Sequence, residues 1–194
     1  FFRASLFSRK FYELNEAGEP YYFSPYDGEV HEGYMYTDTG FWDTFRAQFP
    51  LNALLYPEMH GRYVSALLDA YEQCGWLPSW SFPSEAGSMI GNHAITLFAD
   101  AWAKGIHTFD PQKALEAYYH EATEKGPWGP ANGRHGYKEY YTLGYVPYPK
   151  YGEATAKTLE YAYDDFCGYN LAKMTNNTFF ENVFSRQMYN YKNV

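Results

Sequence analysis

Residues 153–174, EATAKTLEYAYDDFCGYNLAKM, decide the fold class, because they predict the longest helix of the chain. Leu159, Tyr163, Phe166 and Asn170 recur at helical spacing and fall on one face. Asn176 ends the run, and 178–191 continues as a further helix.

Working back toward the start, the same period recurs. A helix at 135–143 follows the loop GPWGPANG at 126–133, and GYVPYPKYG leads on from it. Asp110 followed by Pro111 is a cap with proline at the first helical position, opening a helix to about Lys125. Met89 to Lys104 is apolar on most sides, through Ile90, Ala94, Leu97, Phe98, Ala101 and Trp102, and predicts a helix with neighbours all round. Pro57 opens a helix striped by Val64, Leu67, Leu68, Tyr71 and Cys74, and Gly75 closes it. Phe41, Phe45 and Phe49 share a face up to Pro50. Residues 1–40 hold a short helix or strand at 1–12 and then too many glycines and prolines for a helix. They read as a long ordered loop whose tyrosines and phenylalanines argue that it is packed. No segment shows sustained strand alternation, and no 34-residue repeat keeps register. The expected fold is therefore all-α, with helical hairpins, long aromatic loops and little or no sheet. Residues 41–194 form the helical part of one partial domain.

Composition narrows the function. The chain has 194 residues, with 15 Lys+Arg against 23 Asp+Glu, a net charge of -8. That argues against nucleic acid or an anionic membrane surface, which need basic patches. No apolar run approaches the ~18 residues of a membrane span. Two cysteines, Cys74 and Cys167, make neither a disulfide framework nor a zinc site. Aromatic residues are 22% of the chain, enough to pack loops as well as helices. The sequence opens in an apolar-periodic segment without an initiator Met or a signal peptide, and reads as a piece of something longer.

Three constellations carry polar chemistry. Trp42-Asp43-Thr44-Phe45-Arg46 sets an aromatic, a carboxylate and a guanidinium in one turn at a loop-to-helix junction. Asp43 and Arg46, at i, i+3, are placed to pair. Such a group suits sugar hydroxyls with Trp as a stacking face, and equally suits an ordinary helix start with a salt bridge. In the long helix, Glu160 and Asp164 share a face at i, i+4, where like charges repel, and Asp165 adjoins them. These acids need a partner: Arg, Lys, a metal ion or bound hydroxyls. Glycoside hydrolysis uses a carboxyl pair, but acids so placed also serve to bond loop backbone and a neighbouring arginine. Third, Glu85, Gly91, Asn92 and His93 lie beside the apolar helix at 89–104. Here His93 reads more readily as a core histidine than as a catalyst. The six histidines show no metal-ligand spacing, and no Walker loop, GxSxG or GxGxxG is present.

WDTFRAQFPL at 42–51, LPSW at 77–80, MIGNHA at 89–94, DAWAKGI at 100–106, FD at 109–110, GYVP at 144–147 and TLEYAYDDF at 158–166 occur in order. Together they resemble the catalytic domain of family 92 glycoside hydrolases, the calcium-dependent exo-α-mannosidases, over residues 1–194. The resemblance implies an N-terminal β-sandwich, absent from this chain, and an (α/α)6 toroid of which this would be the first part. It implies inverting hydrolysis of terminal α-linked mannose, with a mannose-containing glycan as partner and calcium as cofactor. It implies a secreted, periplasmic or cell-surface location. The family's acid glutamate, base aspartates and main calcium motifs would fall after Val194, so no catalytic or metal residue is expected here. Trp42, Asp43, Arg46, Glu85, Glu160, Asp164 and Asp165 are then expected to bind or support the sugar. Half a toroid would leave apolar faces that a second copy can cover. Two other readings stay open: a non-catalytic helical carbohydrate-binding module, or a different toroid glycosidase using Glu160 and Asp164.

Overall fold

A computed structural model describes residues 1–194, apart from the side chains of Phe2 and Pro130. The order is α1 (Phe2–Leu6), β1 (Arg9–Lys10), β2 (Glu13–Leu14), β3 (Pro20–Phe23), β4 (Val30–Glu32), β5 (Tyr36–Thr37) and β6 (Thr39–Gly40), then α2 (Phe41–Thr44), α3 (Gln48–Leu55), α4 (Pro57–Cys74), β7 (Trp80–Ser81), α5 (Ala94–Ala103), α6 (Pro111–Thr123), α7 (Tyr137–Leu143), α8 (Ala154–Met174) and α9 (Thr178–Gln187). Short 3-10 turns lie at Gly129–Ala131 and Asn190–Asn193.

The helix boundaries follow local chemistry. Pro57 starts α4, and Gly75 ends it in the left-handed region at φ 80°. The Asp110 side chain accepts from the backbone N–H of Gln112 and Lys113 ahead of α6, and Asn177 accepts from Phe180 N–H ahead of α9. α5 is enclosed, with Ile95, Leu97, Phe98 and Ala101 buried. It packs against α8, which also meets α6 and α9. Val64, Ile95, Phe98, Leu115, Tyr118, Leu171 and Phe184 lie in the core between these helices.

The all-α expectation, a toroid segment with little or no sheet, is corrected by three small antiparallel sheets. Six of their strands lie within residues 1–40. β2, β3 and β4 form one, with Glu13 opposite Tyr21 and Tyr21 opposite Glu32. β1 pairs β5, and β6 pairs β7. These strands are two to four residues long, too short for alternation to show. The signal lay in the turns instead. Asn15 Oδ1 accepts from the N–H groups of Ala17 and Glu19, with Gly18 at φ 80°. The Asp27-Gly28 dipeptide turns the next hairpin. The aromatics of this segment are packed: Tyr22 and Met35 bury against Ala66, and Tyr36 meets Tyr63 edge-on at 4.4 Å.

The face of α8 striped by apolar residues at helical spacing is not its buried one. Leu159, Tyr163 and Phe166 are exposed, whereas Thr158, Tyr161, Asp164, Asp165, Gly168, Leu171 and Ala172 face inward. The inner face is chosen by hydrogen bonding and close approach rather than by apolar area.

The polar core is continuous. Arg134 is fully buried; its Nη1 donates to both Asp165 oxygens at 3.1 Å, Nη2 to Tyr118 Oη at 2.8 Å and Nε to Asn92 Oδ1 at 3.2 Å. Tyr118 and Tyr140 hydroxyls donate to Asp165 at 2.6 and 2.9 Å. Burial pushes the Asp165 carboxyl up, against Arg134 and both tyrosines; with donors on both oxygens, it is the ionised partner of a guanidinium that stays protonated. Asn92 Nδ2 donates to Glu121 Oε2 and to Gly133 O, and Glu121 also accepts from Leu77 and Gly133 N–H. One buried carboxyl group, that of Glu121, thus ties three loops together.

Two predictions follow from this packing. A methyl at Gly168 would stand 2.7 Å from the Tyr118 ring and 3.1 Å from Phe184. Gly168→Ala therefore costs about 1–3 kcal/mol by overpacking rather than gaining the roughly 0.5–1 kcal/mol of helix propensity. A thermal melt reads the sign. Burial, then the neighbouring Glu85, pushes Glu121 up from 4.5 to about 8, with the backbone donors and Arg134 opposing. In the folded chain Glu121 holds a proton that the unfolded chain releases, so its contribution is full at low pH. That contribution is lost as pH rises from 4.5 to about 8. Melts across this window should show the decline, and Glu121→Gln should flatten it.

Candidate functional site

The candidate site begins where β6 pairs with β7. Thr39 is opposite Ser81 and Gly40 opposite Trp80, and Phe41 N–H donates to Ser79 O at 3.2 Å. Gly40 lies against the Trp80 ring, where any side chain would overlap the indole. Thr44 Oγ1 donates to Gly40 O at 2.9 Å and closes the turn. This anchors the loop-to-helix junction and sets the start of α2.

Trp42 and Arg46 converge on Glu160 of α8. Trp42 Nε1 donates to Glu160 Oε1 at 3.0 Å, and Arg46 Nη2 donates to the same oxygen at 2.8 Å. The guanidinium lies 4.6 Å from the centroids of both the Trp42 and Phe45 rings, so it is held flat as well as paired. Arg46 thus pairs with Glu160 across the fold, and the local Asp43–Arg46 pairing expected from their spacing is replaced. Asp43, next to Trp42 in α2, is exposed.

Below Glu160 lies His93, which is 1% exposed. Its Nδ1 is 2.8 Å from Asp164 Oδ1, and its Nε2 is 3.7 Å from Glu160 Oε2. Asp164 Oδ2 accepts from Asn92 N–H at 2.7 Å. Phe45 stacks on the His93 ring at 4.3 Å, with Tyr163 beyond it at 5.4 Å. The i, i+4 repulsion between Glu160 and Asp164 is relieved by placing an imidazole between them and an arginine and an indole outside. The spacing of these acids signalled a partner; nothing local signalled that His93, some seventy residues away, supplies it.

The remaining expected residues fall elsewhere. Asp165, next in sequence to Asp164, belongs to the Arg134 network described above. Glu85 is a loop clasp: its carboxylate accepts from Ser79 N–H at 2.6 Å, Ser79 Oγ at 2.7 Å, Trp80 N–H at 3.2 Å and Gly87 N–H at 2.6 Å. It shapes the loop carrying β7 and so supports α2 from behind, with its oxygens filled. Asp164 likewise has both oxygens occupied and is fully buried. Of the seven, Trp42, Arg46 and Glu160 form one group, Asp164 underlies it through His93, and Asp43 is exposed in the same short helix as Trp42.

Among the described residues no three His, Cys, Asp or Glu side chains converge to hold a metal ion. No helix among them is long and apolar enough to cross a membrane.

Comparison with known proteins bears on this geometry. A solved family GH92 inverting mannosidase, BT2199 from Bacteroides thetaiotaomicron, superposes with a TM-score of 0.95 at 48% identity over 99% of this chain and 26% of its own. The family GH92 α-mannosidase BT3965 of the same organism gives 0.81 at 30% identity over 93% of this chain and 24% of its own. The latter protein has also been solved with mannoimidazole. A curated protein of Arthroderma benhamiae described as an uncharacterized secreted glycosidase is 32% identical over 111 residues, 52% of this chain and 14% of its own length. The chain thus spans about a quarter of these solved mannosidases and a smaller share of the curated relative. The sequence model of the glycosyl hydrolase family 92 catalytic domain matches residues 1–194. This chain belongs to glycosyl hydrolase family 92, as a segment of its catalytic domain.

Proposed function

We propose that the protein containing this segment is an inverting exo-α-mannosidase, and that Trp42, Asp43, Arg46 and Glu160 hold hydroxyls of the terminal mannose. The observation that carries the local reading is the Glu160 carboxylate. Indole and guanidinium donors fix one of its oxygens at the solvent-open edge, and the exposed Asp43 is next to Trp42 in α2. Fixed carboxylates and an arginine make charge-assisted hydrogen bonds to hydroxyls, and an indole face packs on a sugar ring. The names of the solved relatives support the substrate class.

The two reacting carboxyls belong, in this reading, to other parts of the protein. Asp164, Asp165 and Glu85 are committed to internal donors and have no oxygen left to react. That disfavours a mechanism in which Glu160 and Asp164 form the acid–base pair. Inversion needs carboxyls roughly 6.5–9.5 Å apart with room for a water, and this segment contributes the binding wall. Calcium dependence is part of the same proposal, with ligands drawn from outside these residues, and no step here passes through it. The name of the fungal relative favours action outside the cytoplasm.

The test uses the full-length protein on α-linked mannobiose, with the anomer of the released mannose read by NMR. Direct release of β-mannose is the expected result; α-mannose or preference for another sugar would sink the proposal. Asp43→Asn and Glu160→Gln each remove a charged hydrogen bond of about 1.5–3 kcal/mol. Both should lower kcat/KM by roughly 10- to 100-fold, with little change in melting for Asp43→Asn. An Asp43→Asn enzyme with unaltered kcat/KM would remove Asp43 from the pocket.

A further inference from the structure

We propose that His93 is a positioning residue for Glu160: its Nδ1 edge is anchored on Asp164 and its Nε2 edge holds the second oxygen of the Glu160 carboxylate. The inference rests on the sugar-pocket reading of Glu160 and adds a residue to it.

The ring is oriented from both sides. Asp164 accepts Asn92 N–H on one oxygen, and its other oxygen faces His93 Nδ1 at 2.8 Å, so Nδ1 carries a proton. Nε2 has no hydrogen-bond partner although the residue is almost wholly buried. It points at Glu160 Oε2 across 3.7 Å, within ion-pair reach and too long for a hydrogen bond. Nε2 is thus the ring edge that borders the Glu160 carboxylate, as Nδ1 borders that of Asp164. The charged groups that face it are Asp164 and Glu160 from α8 and, beyond Glu160, Arg46; Phe45 covers one ring face.

The backbone is shaped around this edge. Gly91 has φ 95°, and a methyl there would overlap His93 Nε2 and its neighbouring ring carbons. Met89, two residues earlier, is left-handed at φ 63° although it is not glycine. Such conformations cost of order 1–3 kcal/mol and persist where the surroundings over-determine them. Gly91 lets its backbone close on the ring edge that carries Nε2, which fixes where that edge lies relative to Glu160. Trp42 and Arg46 hold Oε1 by hydrogen bonds, and His93 borders Oε2 at 3.7 Å, which sets where that oxygen lies and leaves it to meet the ligand.

Asparagine and glutamine separate the two edges, because the Asn amide nitrogen replaces Nδ1 and the Gln amide nitrogen replaces Nε2. In the full-length enzyme with α-linked mannobiose, His93→Asn should keep Asp164 satisfied and raise KM about tenfold with kcat little changed. His93→Gln should lower the melting temperature yet keep KM within about threefold of wild type. In a Glu160→Gln background, His93→Asn should have no further effect on KM, since coupled residues are not additive. An additive effect, or a His93→Asn enzyme with wild-type KM, would overturn the inference. Should His93→Asn not fold, His93→Gln decides alone: a KM near wild type supports positioning through Nε2, and a tenfold rise overturns it. If Glu160→Gln itself leaves KM unchanged, the sugar-pocket reading falls and this inference with it. If Glu160→Gln raises KM and His93→Asn does not, only the role of His93 falls.

Discussion

A guanidinium that cannot shed its charge is buried in the middle of this chain, and much of the polar architecture is arranged to satisfy it. Arg134 is fully buried, and Asp165, Tyr118 and Asn92 accept its hydrogen bonds. The rings of Tyr118, Tyr140 and Tyr161 lie 5.7, 5.2 and 4.6 Å from it. Desolvating both charges costs several kcal/mol per ion, so such a pair adds little net stability. Losing either partner, however, strands the other, so the elements carrying them must meet in one way only. That fixes the 134 loop against α8 and α6.

The consequence reaches the surface through Asn92. Its carbonyl takes Arg134 Nε, its amide reaches Glu121 and Gly133, and its backbone N–H caps Asp164. His93 is next in the chain and inherits that placement. From His93 the line passes to Glu160 and then to Trp42 and Arg46. The support of the candidate pocket is therefore a run of polar contacts through the core, hydrogen-bonded as far as His93 and continued to Glu160 by the 3.7 Å approach of Nε2. The adjacent acids of α8 divide the labour: Asp165 faces the buried arginine, and Asp164 faces the histidine.

The strands illustrate a limit of pattern reading. Hydrophobic periodicity needs several residues to declare itself, and strands of two to four residues do not provide them. Their positions were written in turn chemistry, in Asn15 to Gly18 and Asp27-Gly28. Glycine and proline punctuation alone reads the same segment as loop. In α8 the regular apolar pattern does not mark the buried face. Leu159, Tyr163 and Phe166 keep helical spacing, yet that face is outward. Gly168 is small enough to admit Tyr118, and the acids needed Arg134 and His93, so these contacts rotated the helix.

The sequence by itself determined the helical body, because proline starts, glycine stops and side-chain caps act within a few residues of the backbone they control. It also determined the family resemblance, the acidic balance and the grouping of Trp42, Asp43 and Arg46 in one turn. Only the tertiary structure decided which carboxylate takes which partner. Arg46 joined Glu160 rather than Asp43, Glu85 turned to its own loop, and His93 came between two acids of a helix far along the chain. Those choices depend on burial and on the direction in which each side chain leaves a packed element. Neither quantity exists until the helices have met.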